Sequence, residues 1–256
     1  MSLKWTILGS GAGQPSPSRN KSGHILEYDN RLILFDCGSG VTSSFLQSGF
    51  DEKLLDAIII SHTHPDHISD LPMFIQMLYL YGKEGAVELF LPSEAIKPMQ
   101  AYLDACYLFR EKFKFNLIVS PIEKTIKLLD NRITVNAVLN EHLLSGAKHI
   151  VDYHYPNKML SYSFMISTDS GKRILYSADL ASLADVKDYL KNLDLLVIET
   201  THIDISELNL MLKSEIIKKT LLAHIADEDE EKIRQFAESA SNPDIIMAED
   251  NLGVDI

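Results

Sequence analysis

The chain has few cysteines and no long apolar run, and each absence narrows the classes of protein to which it can belong. Its 256 residues include only two cysteines, Cys37 and Cys106, too few for a disulfide framework or a thiolate metal site. We expect both to be reduced core residues. No apolar run reaches the roughly 18 residues that a membrane span needs. Residues 1–4 lead directly into a predicted strand without a signal-peptide core, so a cytoplasmic location is expected.

Basic residues are also scarce. The chain carries 24 Lys and Arg against 36 Asp and Glu, which gives a net charge of −12 and an isoelectric point of about 5.1. Proteins that bind nucleic acids usually present a basic patch that neutralises phosphates, and the sequence shows none. Its densest charge run, 227–231, is acidic and is typical of the first turn of a helix. The composition therefore argues against a long polyanionic partner, although not against one phosphodiester.

Strand and helix patterns alternate along the chain, and its length suits a single domain spanning residues 1–256. A strand pair is predicted over 24–36, and a hairpin over 159–177 turns at Asp169-Ser170-Gly171. Ser93 is predicted to cap a helix that reaches about residue 108. Further helices are predicted over 41–48, 68–81, 206–219 and 228–239. These patterns alone indicate a mixed α/β protein.

One short run carries most of the chemical information: His62-Thr63-His64-Pro65-Asp66-His67. It follows Ile58-Ile59-Ile60-Ser61, an apolar stretch that predicts a buried strand. Open α/β sheets place their functional sites where strands end at the carboxyl side. Imidazole nitrogen and carboxylate oxygen are the ligands of zinc and related divalent metals. The run therefore predicts a metal-binding loop.

The spacing within this run suggests two kinds of ligand pair. His62 and His64 are two residues apart on extended backbone, so their side chains can leave on the same side. Asp66 and His67 are adjacent and must point in different directions. One loop can thus offer one pair of ligands to one metal ion and a second pair to another. An open catalytic site, or two metal ions, would need further ligands from elsewhere in the chain.

The run resembles the His-x-His-x-Asp-His signature of the metallo-β-lactamase superfamily of dinuclear metal hydrolases, and the resemblance covers nearly the whole chain. Three later segments, each a predicted strand followed by a candidate ligand, match the family pattern: 132–138 with His142, 173–177 with Asp179, and 220–223 with His224. The resemblance implies that one metal ion binds His62, His64 and His142, that the other binds Asp66, His67 and His224, and that Asp179 bridges them. It also implies the family's fold, an αββα sandwich of two mixed β-sheets flanked by helices.

The third histidine ligand of the family pattern has more than one candidate, because His149 and His154 lie in the same region as His142. His142 follows a strand more closely, and we prefer it. His154 lies in Tyr153-His154-Tyr155-Pro156, which is typical of an irregular loop. His24 lies in a predicted strand and is given no ligand role.

The amino-terminal segment narrows the resemblance to ribonuclease Z and its phosphodiesterase relatives. The strand at 5–8 runs into a glycine-rich turn, a proline and the pair Arg19-Asn20, which that branch shares. Pro15 and Pro17 prevent the helix that a dinucleotide-binding fingerprint would require at this point. Two more segments resemble the same branch: Leu32–Gly38 and Ile245–Asn251.

Three departures from ribonuclease Z bear on the substrate. The family's Gly-Glu-Gly is here Gly38-Ser39-Gly40. Its proton-donating His-Glu-Ala-Thr segment is here Ile198-Glu199-Thr200-Thr201, which keeps Glu199 and leaves His202 as a nearby substitute. Only 36 residues separate His142 from Asp179, so the tRNA-gripping arm is reduced to a short insertion at about 143–158. These departures disfavour tRNA processing.

We therefore expect a phosphodiesterase that uses a metal-bridging hydroxide on a small-molecule or short phosphodiester substrate. The cofactors implied are two divalent ions, zinc by preference, with manganese and iron also suited to these ligands. Asp66 would hold or accept the proton of the attacking water, and Glu199 or His202 would assist the leaving group. No membrane partner is expected, and a homodimer is left open. The alternatives are a tRNA 3′-processing endonuclease and a non-catalytic metal-binding or sensing protein.

Overall fold

The computed structural model describes residues 2–239 and 244–256, and strands dominate it. The strands are β1 Leu3–Gly9, β2 Gly23–Tyr28, β3 Arg31–Phe35, β4 Leu55–Ile59, β5 Gly85–Leu91, β6 Phe115–Pro121, β7 Thr125–Leu128, β8 Ile133–Leu139, β9 Tyr162–Thr168, β10 Arg173–Tyr176, β11 Leu193–Glu199, β12 Ile217–Ala223, β13 Ile245–Met247 and β14 Gly253–Asp255.

Among the residues that the structure describes, seven α-helices alternate with the strands along the chain: α1 Val41–Gln47, α2 Pro65–Ile68, α3 Leu71–Leu80, α4 Ile96–Ala105, α5 Ala147–Tyr153, α6 Ile205–Ser214 and α7 Glu230–Ser239. Short 3-10 helices occur at Glu52–Leu54, Arg110–Lys112, His142–Gly146, Leu183–Asp185, Lys187–Tyr189 and Asp227–Asp229. Among the described residues, no helix has both the length and the apolar character needed to cross a bilayer.

The chain divides into two compact units, each built on one sheet. The first unit is the chain up to Ile122 together with Glu249–Ile256, and the second is Glu123–Ala248. The expectation of one hydrolase domain over residues 1–256 stays a prediction.

The sheet of the first unit has the order β14-β1-β2-β3-β4-β5-β6. The pairs β14–β1, β1–β2 and β2–β3 are antiparallel, whereas β3, β4, β5 and β6 run parallel. The carboxyl ends of parallel strands meet at one edge of a sheet. The loops after β3 and β4 are therefore neighbours.

The sheet of the second unit has the order β13-β12-β11-β10-β9-β8-β7 and the same mixture of strand directions. Its first hairpins, from β7 to β10, are antiparallel, and β10, β11, β12 and β13 are parallel. The carboxyl ends of β8, β10, β11 and β12 thus lie at the same edge, because two antiparallel steps separate β8 from β10.

Helix α3 shows how the first unit forms its core. Leu71, Phe74, Ile75 and Leu78 recur at helical spacing and are all buried, and Pro72 occupies the first turn, where no amide hydrogen is needed. The ring of Phe74 meets that of Phe45 edge to face, with 5.1 Å between centroids. Each buried side chain of this size contributes about 1.5–3 kcal/mol through removal from water.

Strand β11 contributes to the core of the second unit. All seven of its residues are buried, as expected for a strand that lies between parallel neighbours in the middle of a sheet. Leu196 and Ile198 belong to the apolar cluster of this unit together with Leu208 of α6. Ile198 is thus a core residue. It occupies the position at which the resemblance to ribonuclease Z would place a histidine.

Three local predictions are wrong. The helix predicted over 206–219 ends at Ser214, since Glu215 is extended and the β-branched residues that follow open strand β12. Ser93 does not cap the next helix, which begins at Ile96 after a turn closed by the Ala95 amide and the Pro92 carbonyl, 2.8 Å apart. Cys106 is exposed, because it follows the last turn of α4.

Cys37 lies in the core, as predicted. Burial, reinforced by Asp70 and Asp36, raises the pKa of its thiol well above the ordinary value. A thiol in this state is protonated and unreactive at neutral pH.

Candidate functional site

In the first unit, Asp36 connects the ends of β3 and β4. It follows β3 directly, is fully buried, and adopts a left-handed backbone with φ of 57°. The amide of Ser61, just after β4, donates to Asp36 Oδ1 at 2.7 Å, and the Ser61 hydroxyl donates to Oδ2 at 2.8 Å. The carboxylate thereby ties together the two neighbouring strand ends.

These contacts assign the tautomers of two histidines. Since the Ser61 hydroxyl donates its hydrogen to Asp36, its oxygen accepts from Nδ1 of His62, at 3.0 Å. Nδ1 of His67 lies 2.8 Å from Asp36 Oδ2 and donates to it. Both rings then carry their lone pair on Nε2. Metal-binding histidines characteristically donate their second nitrogen to a carboxylate or other acceptor in this way.

Helix α2 completes the donor set of this unit. Pro65 opens the helix, and the His67 amide donates to the His64 carbonyl at 2.9 Å. Nε2 of His67 lies 3.4 Å from Asp66 Oδ2, and the ring centroids of His62 and His64 are 4.8 Å apart. A lone-pair nitrogen beside a carboxylate oxygen forms an electron-rich pair. The donor set of the motif therefore fits a divalent cation.

Gly38 allows this helix to approach the loop after β3. A Cβ atom at Gly38 would lie 2.0 Å from the Asp66 carbonyl oxygen, which no side chain could tolerate. The Cys37 amide donates to the His67 carbonyl at 2.8 Å beside it. Glycine is thus required by close backbone approach.

In the second unit, the ends of β8, β10 and β12 bring His142, Asp179 and His224 together. Asp179 is buried, with Oδ1 3.2 Å from His224 Nε2 and Oδ2 3.5 Å from His142 Nε2. Nδ1 of His142 lies 3.4 Å from the Leu180 carbonyl, to which it donates. Each carboxylate oxygen of Asp179 therefore faces a different imidazole, the arrangement that a ligand shared by two ions requires.

Left-handed backbone recurs where these strands end. Ala178, just before Asp179, has φ of 47°, and His224 has φ of 52°. Such conformations cost of order 1–3 kcal/mol for non-glycine residues and cluster at functional sites. The Thr201 hydroxyl donates to the His224 carbonyl at 2.6 Å, and the Thr200 hydroxyl donates to the preceding carbonyl at 3.2 Å. Two threonines thus hold the strained residue.

Glu199 and His202 form a carboxylate–histidine pair beside these residues. The buried Glu199 carboxylate accepts from the amides of Thr201 at 2.8 Å and His202 at 2.9 Å through Oε2. Its Oε1 lies 3.2 Å from His202 Nδ1. The His202 side chain is 37% exposed, and its ring centroid lies 4.9 Å from that of His142 and 5.6 Å from that of His224. Glu199 therefore orients the imidazole of a solvent-accessible histidine.

The remaining three histidines have other surroundings. His149 and His154 are exposed, the first on α5 and the second at its end with φ of 55°. His24 is buried in the first unit, where its Nδ1 accepts from the indole of Trp5 at 3.4 Å. The geometry favours His142 over His149 and His154 as the partner of Asp179.

A cavity of about 250 Å³ in the first unit adjoins Asp66. Arg19, Lys21 and Ser39 contribute to its lining. Asp250 holds the loop that contributes Arg19 and Lys21: it accepts from the Ser10 amide at 2.9 Å and from the Asn20 amide at 2.7 Å.

The structural roles of Asp36, Ser61 and Asp250 were not predicted. Asp36 and Ser61 each follow an apolar strand, but the pairing of those strands is not visible in either segment. The only indication for Asp250 in the sequence is that it lies in a segment that resembles the ribonuclease Z branch.

Comparison with known proteins identifies the family. The family model described as Anti-Pycsar protein Apyc1 matches residues 3–241. The Anti-Pycsar protein Apyc1 of Paenibacillus harenae is 30% identical over 233 residues, which cover 86% of this chain and 89% of that protein. The chain belongs to the Apyc1 family.

The resemblance of this Apyc1-family chain to the wider superfamily is also clear. A ribonuclease Z of Picrophilus torridus is 25% identical over 230 residues, covering 78% of this chain and 74% of that protein. The metallo-β-lactamase fold protein YhfI from Bacillus subtilis aligns with a TM-score of 0.73 at 22% identity, over 100% of both chains. The predicted metallo-β-lactamase fold with two mixed sheets is confirmed.

The Apyc1-family chain is accordingly a hydrolase of the metallo-β-lactamase superfamily, related to ribonuclease Z. Each of its units presents histidine and aspartate groups that are compatible with divalent metal ions.

Proposed function

We propose that the chain is a dinuclear metal-dependent phosphodiesterase acting on a small or short phosphodiester. The observation that carries this proposal is the position of Asp179, whose two carboxylate oxygens lie 3.2 and 3.5 Å from Nε2 of two different histidines. A carboxylate placed in this way suits two cations better than one proton shared with one histidine.

The proposed ligands come from both units and follow the family pattern. His62, His64 and His142 would hold one ion, Asp66, His67 and His224 would hold the second, and Asp179 would contribute to both. Zinc is the preferred ion, and the ligand types also suit manganese and iron. Bound divalent ions would supply activation of a water molecule at neutral pH and neutralisation of the charge that develops on the phosphoryl oxygens.

Asp66 has a second role as the acceptor of a proton from the attacking water. Its carboxylate borders the cavity of the first unit, and Oδ2 lies 3.4 Å from His67 Nε2. A carboxylate that accepts a hydrogen bond from the nucleophile orients it and takes up its proton.

His202 is proposed to donate a proton to the leaving group. Its Nδ1 is held by Glu199, so Nε2 is the atom that carries the transferable proton. Ile198 cannot perform this task, because it is an apolar residue of the core. Glu199 acts through His202, in the manner of a carboxylate that fixes the orientation of a catalytic imidazole.

Three observations support a small substrate. The cavity beside Asp66 has a volume of about 250 Å³, below the roughly 300–1,000 Å³ of pockets that hold drug-sized ligands. The net charge of −12 disfavours an RNA backbone, which is bound through lysine and arginine contacts to phosphates. The segment after His142 forms only a 3-10 helix and the seven-residue helix α5.

A substrate panel tests the proposal. Protein of known metal content would be assayed with bis-p-nitrophenyl phosphate, cyclic nucleotides, lactones and precursor tRNA. We expect cleavage of phosphodiesters and poor processing of precursor tRNA. His202→Ala should reduce hydrolysis of esters with alkoxide leaving groups by about 10²–10⁴-fold and spare p-nitrophenyl esters, whose leaving group needs no acid.

Two results would contradict the proposal. Efficient, salt-sensitive cleavage of precursor tRNA would instead favour the endonuclease. Failure to cleave any phosphodiester with zinc, manganese or iron would favour a metal-binding or sensing role.

A further inference from the structure

The Asn140 side chain contacts the backbones of two proposed metal ligands of the second unit, His142 and Asp179. Asn140 directly follows β8 and is only 4% exposed. Its Nδ2 donates to the Asp179 carbonyl at 3.0 Å and to the Ser163 hydroxyl at 3.1 Å, and its Oδ1 accepts from the His142 amide at 3.2 Å. Both amide hydrogens and the amide oxygen are therefore used, and the orientation of the amide is fixed by its partners.

The contacts of Asn140 extend into a hydrogen-bonded network along the turn after β10. The Ser163 hydroxyl donates to the Ser177 carbonyl at 2.6 Å, and the Ser177 hydroxyl donates to the Ala178 carbonyl at 2.7 Å. With Asn140 on the Asp179 carbonyl, three successive carbonyls each accept a side-chain hydrogen bond. Ala178 has a left-handed backbone, and these bonds hold the turn that directs Asp179.

We infer that Asn140 is a positioning residue for metal binding, which fixes the backbones of His142 and Asp179 relative to each other. The inference rests on the metal ligands assigned in the proposed function. One amide joins the loop after β8 to the turn after β10, so loss of that amide would free both ligands at once. Residues that orient metal ligands typically change metal affinity by about 10–100-fold when replaced.

Three variants test this role: Asn140→Ala, Asn140→Asp and, as a matched control, Asn136→Ala. Asn136 lies on the same strand, β8, and accepts from the Thr125 hydroxyl at 2.9 Å, away from the network. Zn²⁺ affinity would be measured by chelator competition without substrate, together with the absorption spectrum of the Co²⁺ form and the Tm of the metal-free protein.

Asn140→Ala is expected to weaken Zn²⁺ binding by about 10–100-fold and to alter the Co²⁺ spectrum, while Asn136→Ala leaves both unchanged. Asn140→Asp keeps the acceptor for the His142 amide but loses both donors and faces the Asp179 carbonyl with a carboxylate oxygen. We expect no rescue by this variant. A lower Tm alone, with wild-type affinity and spectrum, would show a purely structural role and overturn the inference.

If Asn140→Ala fails to fold, Ser163→Ala decides the question. It removes one partner of the amide, and weakened Zn²⁺ binding supports the inference while unchanged binding overturns it. A wild-type chain that binds Zn²⁺ but cleaves no phosphodiester contradicts the proposed activity and leaves the role of Asn140 intact. A wild-type chain that binds no divalent ion overturns both.

Discussion

The Ser61 hydroxyl bonds to one histidine and one carboxylate, and this single group decides which nitrogen of His62 holds the proton. Asp36 fixes the tautomer of His67 directly, because its carboxylate accepts from Nδ1 of that ring. In both histidines Nδ1 is therefore used in a hydrogen bond and Nε2 is left as the ligand atom, so that metal binding does not require a change of tautomer. In the second unit, the Leu180 carbonyl accepts a hydrogen bond from Nδ1 of His142 and fixes its tautomer in the same way.

Replacement of Asp179 by alanine is expected to abolish turnover and to reduce metal occupancy, because this carboxylate faces both His142 and His224. His142→Ala should lower metal content in the same way. His154→Ala, the matched control on an exposed residue of the same region, should keep most of the activity. Metal analysis and rates with bis-p-nitrophenyl phosphate would be measured for each variant. Normal metal content in His142→Ala with loss in His154→Ala would show that the third ligand was misassigned.

Helices and strands are predicted most reliably where the residues of one segment are sufficient to indicate its structure. Strand β4 and the metal motif follow from an apolar run and the residues directly after it, and helix α3 from its apolar spacing. Strand β5 was not predicted, since Gly85 and Ala86 are exposed and its apolar alternation is short. Strand β14 has only three residues and depends on pairing with β1. The link from Asp36 to His67 needs the knowledge that β3 and β4 are parallel neighbours, which no local pattern contains.

Strand β5 also carries a group whose ionisation opposes folding. Burial, with a contribution from Asp56, raises the pKa of Glu88. A carboxyl whose pKa is higher in the folded state contributes less to stability as the pH rises through that pKa. Glu88→Gln should therefore raise Tm slightly at neutral pH and have no effect below about pH 4, where both states are protonated. Thermal unfolding from about pH 3 to about pH 8 would be compared with Glu84→Gln, an exposed neighbour. Equal pH profiles for the two variants would contradict this prediction.

For the whole molecule, the proposed metal ligands are drawn from both units, so metal binding and folding should be linked. We expect the purified chain to hold up to two divalent ions, and removal by a chelator should abolish hydrolysis and lower Tm. An ion that binds only the folded state stabilises it by about 2.7 kcal/mol when its concentration is 100 times Kd. Elemental analysis and calorimetric titration with Zn²⁺ would measure both effects. A single strong site, with His67 and His224 uncoordinated in a crystal, would contradict the dinuclear proposal.

The contact of Asp250 with Ser10 and Asn20 has a consequence for biosynthesis. These residues are separated by 240 and 230 positions along the chain. At roughly 5–20 residues per second, a ribosome needs about 10–50 s to synthesise the intervening segment. The glycine-rich loop beside the cavity is therefore synthesised well before the carboxylate that holds it. A nascent chain can therefore complete the hydrogen bonds of this loop only after Asp250 has been translated.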